Sequence, residues 1–176
     1  MSKKFIGSMI FVLLLTGMMS FTGCSNTNEK VTKEYNATLY FANDEYVQTG
    51  DENFDHMVIV KDYKLESEEG NQYMDLVNIG LRTVPEGLRG ADTLIKDKIV
   101  FNGVSVDGGV ATVDLAGATL NGGSLEESFV ISQIVESLTA SFEEIDSVQF
   151  LVDGEKAESL MGHFDVSTPF TKGVTN

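Results

Sequence analysis

The chain holds two histidines, His56 and His163. Each has an aspartate close in sequence: Asp55 adjoins His56, and Asp165 follows His163. A carboxylate that orients an imidazole makes half of a general-base system. The other half, an activated nucleophile, is not announced. No Gly-x-Ser-x-Gly or His-Glu-x-x-His pattern occurs. Both histidines therefore read as surface or half-buried side chains. Asp51-x-Asn53-x-Asp55 opens like a calcium loop, with oxygen ligands at alternate positions. His56 stands where such a loop needs glycine, and Asp62 where it needs glutamate, so the stretch reads as a solvated acidic loop. Asp107, Asp114 and Asp153 border turns and strand ends. Paired carboxylates can cut a glycosidic bond, yet these three equally suit turn chemistry. Gly122-Gly123 precedes a helix start, where free amides attract anions. No basic residue is near them in sequence, and a backbone role is expected. The expected sets of catalytic, cofactor-binding and metal-ligating residues are all none.

The residue with the clearest chemistry is the single cysteine, Cys24. Lys3 and Lys4 open the chain, an apolar run spans Phe5 to Met19, and Ser20-Phe21-Thr22-Gly23 leads into Cys24. A basic segment, an apolar core and small residues before a cut point make a secretory leader. Small residues directly before cysteine resemble a bacterial lipobox, although Phe21 stands where leucine is usual. In that chemistry the sulfur takes a diacylglycerol and the leader is cut away, so Cys24 becomes an acylated (palmitate-type) N-terminus. The competing reading is a retained anchor. It is disfavoured because the run is interrupted by Gly7, Ser8, Thr16 and Gly17, and a span needs about 20 mostly apolar residues. With Cys24 lipidated, the folded part has no disulfide and no thiolate metal site.

The parts that follow are bounded by charge. The leader holds two lysines and no acid, so its removal takes the formal net charge from −15 to −17. Such an acidic protein is repelled by phosphate backbones, which excludes nucleic acid as a partner. It is equally repelled by anionic lipid, so the lipid on Cys24 must be what holds it to the cell membrane, on the extracytoplasmic face. Ser25 to Glu34 is polar and lacks an apolar period. It reads as a tether, giving a leader over 1–23, lipidated cysteine and tether over 24–35, and one domain over 36–171.

Within that domain the apolar spacing sets the elements. Thr38–Ala42 reads as a first strand and 43–55 as an exposed acidic loop. His56–Leu65 reads as a second strand with Met57, Ile59, Tyr63 and Leu65 on one face. Tyr73, Leu76, Val77, Gly80, Leu81 and Val84 recur at helical spacing over 71–84, and Pro85 stops the pattern. Lys98–Val106 and Val110–Leu115 flank Asp107-Gly108-Gly109, a hairpin signal. Ser124-Leu-Glu-Glu127 reads as a capping box. It starts a helix whose face carries Ile131, Ile134, Val135, Leu138 and Phe142. Ser147–Val152 reads as a buried strand. Leu160, Met161 and Phe164 read as a satellite of the core, with an exposed edge for a partner as the alternative. The order β-β-α-β-β-α-β predicts an α/β (α+β) fold, a small mixed or antiparallel sheet with two amphipathic helices packed on it.

Gly109-Val-Ala-Thr-Val-Asp-Leu115, the capped helix and Ser147-Val-Gln-Phe-Leu-Val-Asp-Gly154 together resemble the GerMN domain. This is the sporulation and spore-germination module of bacterial envelope lipoproteins. In that family a "GvatVdls" strand precedes a loop and helix, and "V-x-F-x-V-D-G" closes the unit. Pro85-Glu-Gly-Leu88, Ile99-Val-Phe-Asn-Gly-Val-Ser-Val106 and Leu39-Tyr40-Phe41 fall where the family has its proline loop, hairpin strand and opening strand. Ile79-Gly-Leu-Arg-Thr-Val-Pro85 departs from the family's Leu-Leu-x-Gly-Pro-like corner. Members often carry two such domains, and this chain has room for one. The resemblance implies a non-enzymatic envelope module that binds or assembles with another envelope protein. The alternative is a protein that binds or hydrolyses cell-wall peptidoglycan.

Overall fold

The computed structural model describes residues 31–95 and 97–173. The leader, Cys24 and the first part of the expected tether lie outside the described residues. The elements run β1 (Thr32–Asn43), α1 (Asp44–Thr49), β2 (Met57–Glu68), α2 (Gln72–Asp75), β3 (Ala91–Asp92), β4 (Phe101–Asp107), β5 (Val110–Leu115), α3 (Ser124–Ser141), β6 (Ser147–Val152), β7 (Glu155–Lys156) and β8 (Phe170–Thr171). The α+β class is as expected. The single expected sheet is instead two: a three-stranded antiparallel sheet, β2-β1-β3, and a mixed sheet, β4-β5-β6-β7, with β8 also on β6. The parallel pair β5–β6 is joined through α3, as a parallel pair requires a crossover connection.

β1 begins at Thr32, inside the stretch expected to be tether. Its first residues are solvated on both faces, so no apolar period marks them. They are held by pairing with β2 and by Lys33–Glu69 and Lys64–Glu34 ion pairs, each at 2.8 Å. Further on, Ala37, Leu39 and Phe41 point into the core.

The expected face of β2 is wrong in one half. Ala37 is opposite Tyr63 while Leu39 is opposite Val60, so Lys61 and Asp62 together face Thr38. Asp62 sits at φ 57. This is a β-bulge, and one extra residue reverses which side chains face inward beyond it. Tyr63 and Leu65 pack on the core, but so does Val60, and Ile59 is 48% exposed.

The expected helix over 71–84 is shorter. α2 gives way to a π-turn over Leu76–Gly80, where the Leu81 N–H donates to the Leu76 carbonyl at 3.0 Å. The side chain of Arg82 then donates to the carbonyls of Asn78 and Ile99. These bonds end the helix well before Pro85. Leu76, Val77 and Leu81 are buried as their spacing predicts.

α3 is the spine. Its expected apolar row, Ile131 to Phe142, is buried, but so are Glu127, Ser132, Gln133, Glu136 and Ser137. A helix buried all round has to find partners for its polar groups. Gln133, Ser137 and Ser141, spaced by four, share one side of α3 and meet the free edge of β1. Tyr40 N–H donates to Ser137 Oγ and Thr38 N–H to Ser141 Oγ, both at 2.9 Å. Ser141 Oγ donates back to the Thr38 carbonyl, and Gln133 Nε2 donates to that of Tyr40. Side chains of a helix thus do for this edge what a neighbouring strand would do.

The capping box forms differently as well. Gly123 is the N-cap, with no side-chain capping bond. Glu127 turns instead to the C-terminal loop.

Candidate functional site

A groove of about 810 Å³ opens on the outer face of the first sheet. Tyr40 of β1 and Met57 and Ile59 of β2 form its floor, and Phe54 stands at its side. Tyr40 and Ile59 are cross-strand partners, so both point away from the core side defined by Leu39 and Phe41. The walls come from Glu52, Asp55 and His56 in the loop, Glu136 of α3, and Lys172 and Gly173 after β8.

The loop wall has defined structure. Asn43 closes it at both ends: its side-chain oxygen accepts the Glu45 N–H at 3.0 Å, and its amide donates to the Asp55 carbonyl at 2.8 Å. The Asn43 N–H also donates to the His56 carbonyl. An asparagine at this N-cap position is why α1 starts there. Gly50, at φ 64, ends α1 in the left-handed conformation favoured by glycine. Asp51 accepts both the N–H and the side-chain amide of Asn53, so its carboxylate is engaged in a turn of its own loop.

His56 pairs with Glu52 and not with its neighbour Asp55. His56 Nε2 lies 3.0 Å from Glu52 Oε2, and the Tyr46 hydroxyl donates to Glu52 Oε1 at 3.3 Å. The Tyr46 ring lies 4.0 Å from the imidazole and 6.0 Å from Phe129 of α3, which ties the loop to the spine. The hydrogen bond from His56 holds the Glu52 carboxyl below its ordinary range, with the Tyr46 bond acting in the same direction. Burial pushes the Tyr40 hydroxyl up, and the Glu136 charge adds to that. Glu136 is itself nearly buried and accepts the Gly173 N–H at 2.6 Å.

The second histidine serves the tail. Its backbone N–H donates to Glu127 Oε2 at 2.8 Å, and its ring lies 3.4 Å from the Gly122 carbonyl. Asp165 accepts the Ser167 N–H, and bonds from Ser167 lower its carboxyl. No His–Asp pair therefore forms at either place suggested by sequence. Asp114 accepts the Gly154 N–H and Asp153 the Gly117 N–H, which is turn work. At Gly122 a Cβ would meet Glu126 Oε2 at 2.7 Å, so a carboxylate stands where an anion would have to approach. Leu160 is core, while Phe164 is 40% exposed. Among the described residues, no group of three or more His, Cys, Asp or Glu is placed to hold a metal ion.

Sequence reasoning missed Tyr40, Phe54, Glu136 and Lys172 as members of one surface. They come from distant segments, and only the acidic loop gave a signal.

This two-sheet α+β fold, threaded by a buried helix, is similar to solved GerMN domains. The first GerMN domain of the sporulation protein GerM from Bacillus subtilis is similar, with TM-score 0.59 and 16% identity over 81% of this chain and 98% of that one. The tandem GerMN domains of the same protein give TM-score 0.58 and 15% identity, covering 81% of this chain but 47% of theirs, so this chain spans about half of the tandem. A candidate lipoprotein of Clostridium perfringens gives TM-score 0.50 and 18% identity, over 79% and 88%. At these identities the likeness is one of fold. The profile of the Germane family, described as "Sporulation and spore germination", matches residues 38–158. The chain belongs to that family. No curated protein sequence matches it, and no helix among the described residues is long and apolar enough to cross a membrane.

Proposed function

We propose that this protein is exported, anchored by lipid on Cys24, and uses its GerMN domain to bind another envelope protein in sporulation or germination. The observation that carries the reading is the family match over 38–158, behind a leader that ends in a lipobox-like Thr22-Gly23-Cys24. The role is binding and not catalysis. Of Asp107, Asp114 and Asp153, the aspartates that a wall-cutting role would call upon, Asp114 accepts the Gly154 N–H and Asp153 the Gly117 N–H, so these two tie the ends of β5 and β6 together.

Two measurements test this in the producing cells. Growth with a labelled fatty acid should mark the wild-type protein, and Cys24→Ser should abolish the label and leave the uncut leader. Crosslinking of the full-length protein, tagged at its C-terminus, should capture one envelope protein reproducibly. Recovery of glycan fragments alone would replace the binding role with a wall-directed one.

A further inference from the structure

We infer that the groove over Tyr40 and Ile59 is the docking site, and that its occupant is a basic, amphipathic segment of the partner protein. This rests on the binding role proposed above and names the surface and the chemistry of its ligand.

The floor is apolar and open. Ile59 is 48% exposed and Phe54 38% exposed, with Met57 and Tyr40 partly so. Exposed apolar residues scattered singly need no explanation, but several converging in one concavity do. Ile59 is outward because the bulge at Asp62 reverses the strand's faces. An isoleucine could have been placed inward by omitting one residue.

The walls set the sign of the charge. Glu52 and Asp55 line the groove as exposed acids and Glu136 lines it as a buried one bonded to the Gly173 N–H, while Lys172 and the imidazole of His56, held by Glu52, are the nitrogen bases among its described lining residues. The segment that carries these walls is acidic throughout: between Asn43 and Lys61 the sequence has Asp44, Glu45, Asp51, Glu52 and Asp55, and neither lysine nor arginine. Complementary potentials steer association and select partners. An apolar floor with acidic walls fits side chains that alternate between aliphatic and Lys or Arg.

Placement agrees with such a role. Tyr40 stands far along β1 from Thr32, about 26 Å at roughly 3.3 Å per residue. Thr32 is the end of β1 nearer in sequence to Cys24.

The test uses the full mature chain and a soluble peptide of alternating lysine and valine, with a glutamate–valine peptide as control. NMR titration should move the resonances of Tyr40, Phe54 and Ile59 with the lysine peptide alone, and added salt should weaken binding. Asp55→Lys and Glu66→Lys change the net charge equally, but only Asp55 lines the groove. Asp55→Lys should weaken binding by about tenfold or more, whereas Glu66→Lys should stay within about twofold. Ile59→Gln, at an exposed position, should also weaken binding and keeps the test alive should Asp55→Lys misfold. Equal losses for Asp55→Lys and Glu66→Lys would mean diffuse attraction and overturn the assignment. So would no binding by the wild type. A concentration-dependent dimer that Asp55→Lys abolishes would replace the basic partner with a second copy. In cells, partner capture that survives both groove variants would sink the groove and leave the binding role standing. Groove-specific peptide binding with no captured protein would do the reverse.

Discussion

Two carboxylates of similar chemistry occupy opposite situations. Glu127 is fully buried on α3 and accepts three backbone N–H groups, those of Leu160 and Met161 on one oxygen and that of His163 on the other, at 2.8–2.9 Å. Glu52 lies on the exposed loop and meets only side chains, His56 and Tyr46. One gathers the tail, where Gln149 Nε2 also donates to the Val166 carbonyl. The other shapes the wall of a groove. A buried charge persists only when its hydrogen-bonding capacity is filled, so Glu127 is structural. An exposed acid keeps its field available to a partner. The number of acidic residues in this chain therefore says little until each is sorted by what it accepts.

The comparison can be broken most forcefully at Glu127. Glu127→Ala leaves three amides without an acceptor and should cost about 3–5 kcal/mol. Chemical denaturation measures this, and hydrogen exchange at Leu160, Met161 and His163 should accelerate while the groove loop is unchanged. Gln133→Leu comes next. It strips the Leu94 N–H and the Tyr40 carbonyl of partners, a loss of about 2 kcal/mol, and should loosen the β1 edge in exchange experiments. Asn43→Ala removes the α1 cap and the tie to the Asp55 carbonyl, costing about 1 kcal/mol, with mobility confined to 44–56. The smallest effect belongs to Glu52. Its carboxyl is depressed in the fold, so its contribution is present above the ordinary value of 4.5 and is lost as the pH falls through the lower folded value. Glu52→Gln should flatten that acid limb of the stability profile and leave peptide exchange in the tail untouched.

Much of the frame was readable from spacing. The hairpin around Gly108-Gly109, the apolar row Ile131–Phe142 and the strand Ser147–Val152 follow from period alone, because packing there agrees with local pattern. Three features escaped it. The bulge at Asp62 shifts phase within a strand, and nothing in a Lys-Asp pair announces that. The π-turn over Leu76–Gly80 keeps the burial of a helix while ending it early. The Ser124–Glu127 pattern fits a cap equally well, and only the tail's position draws Glu127 away. The row Gln133, Ser137, Ser141 was legible in principle as polar residues at helical spacing beside an apolar face. Its meaning required knowing that β1 had an edge to fill. The groove was the least legible, since its floor and walls come from β1, the acidic loop, β2, α3 and the chain after β8.

Phe54 and Phe164 offer the most direct measurement, since they are nearly equally exposed, at 38% and 40%, in the two regions contrasted above. A photocrosslinking residue placed at each, in the full-length protein in its own cells, asks which region meets the partner. The account predicts an adduct with one envelope protein from position 54 and none from position 164. An adduct from position 164 with none from 54 would contradict it.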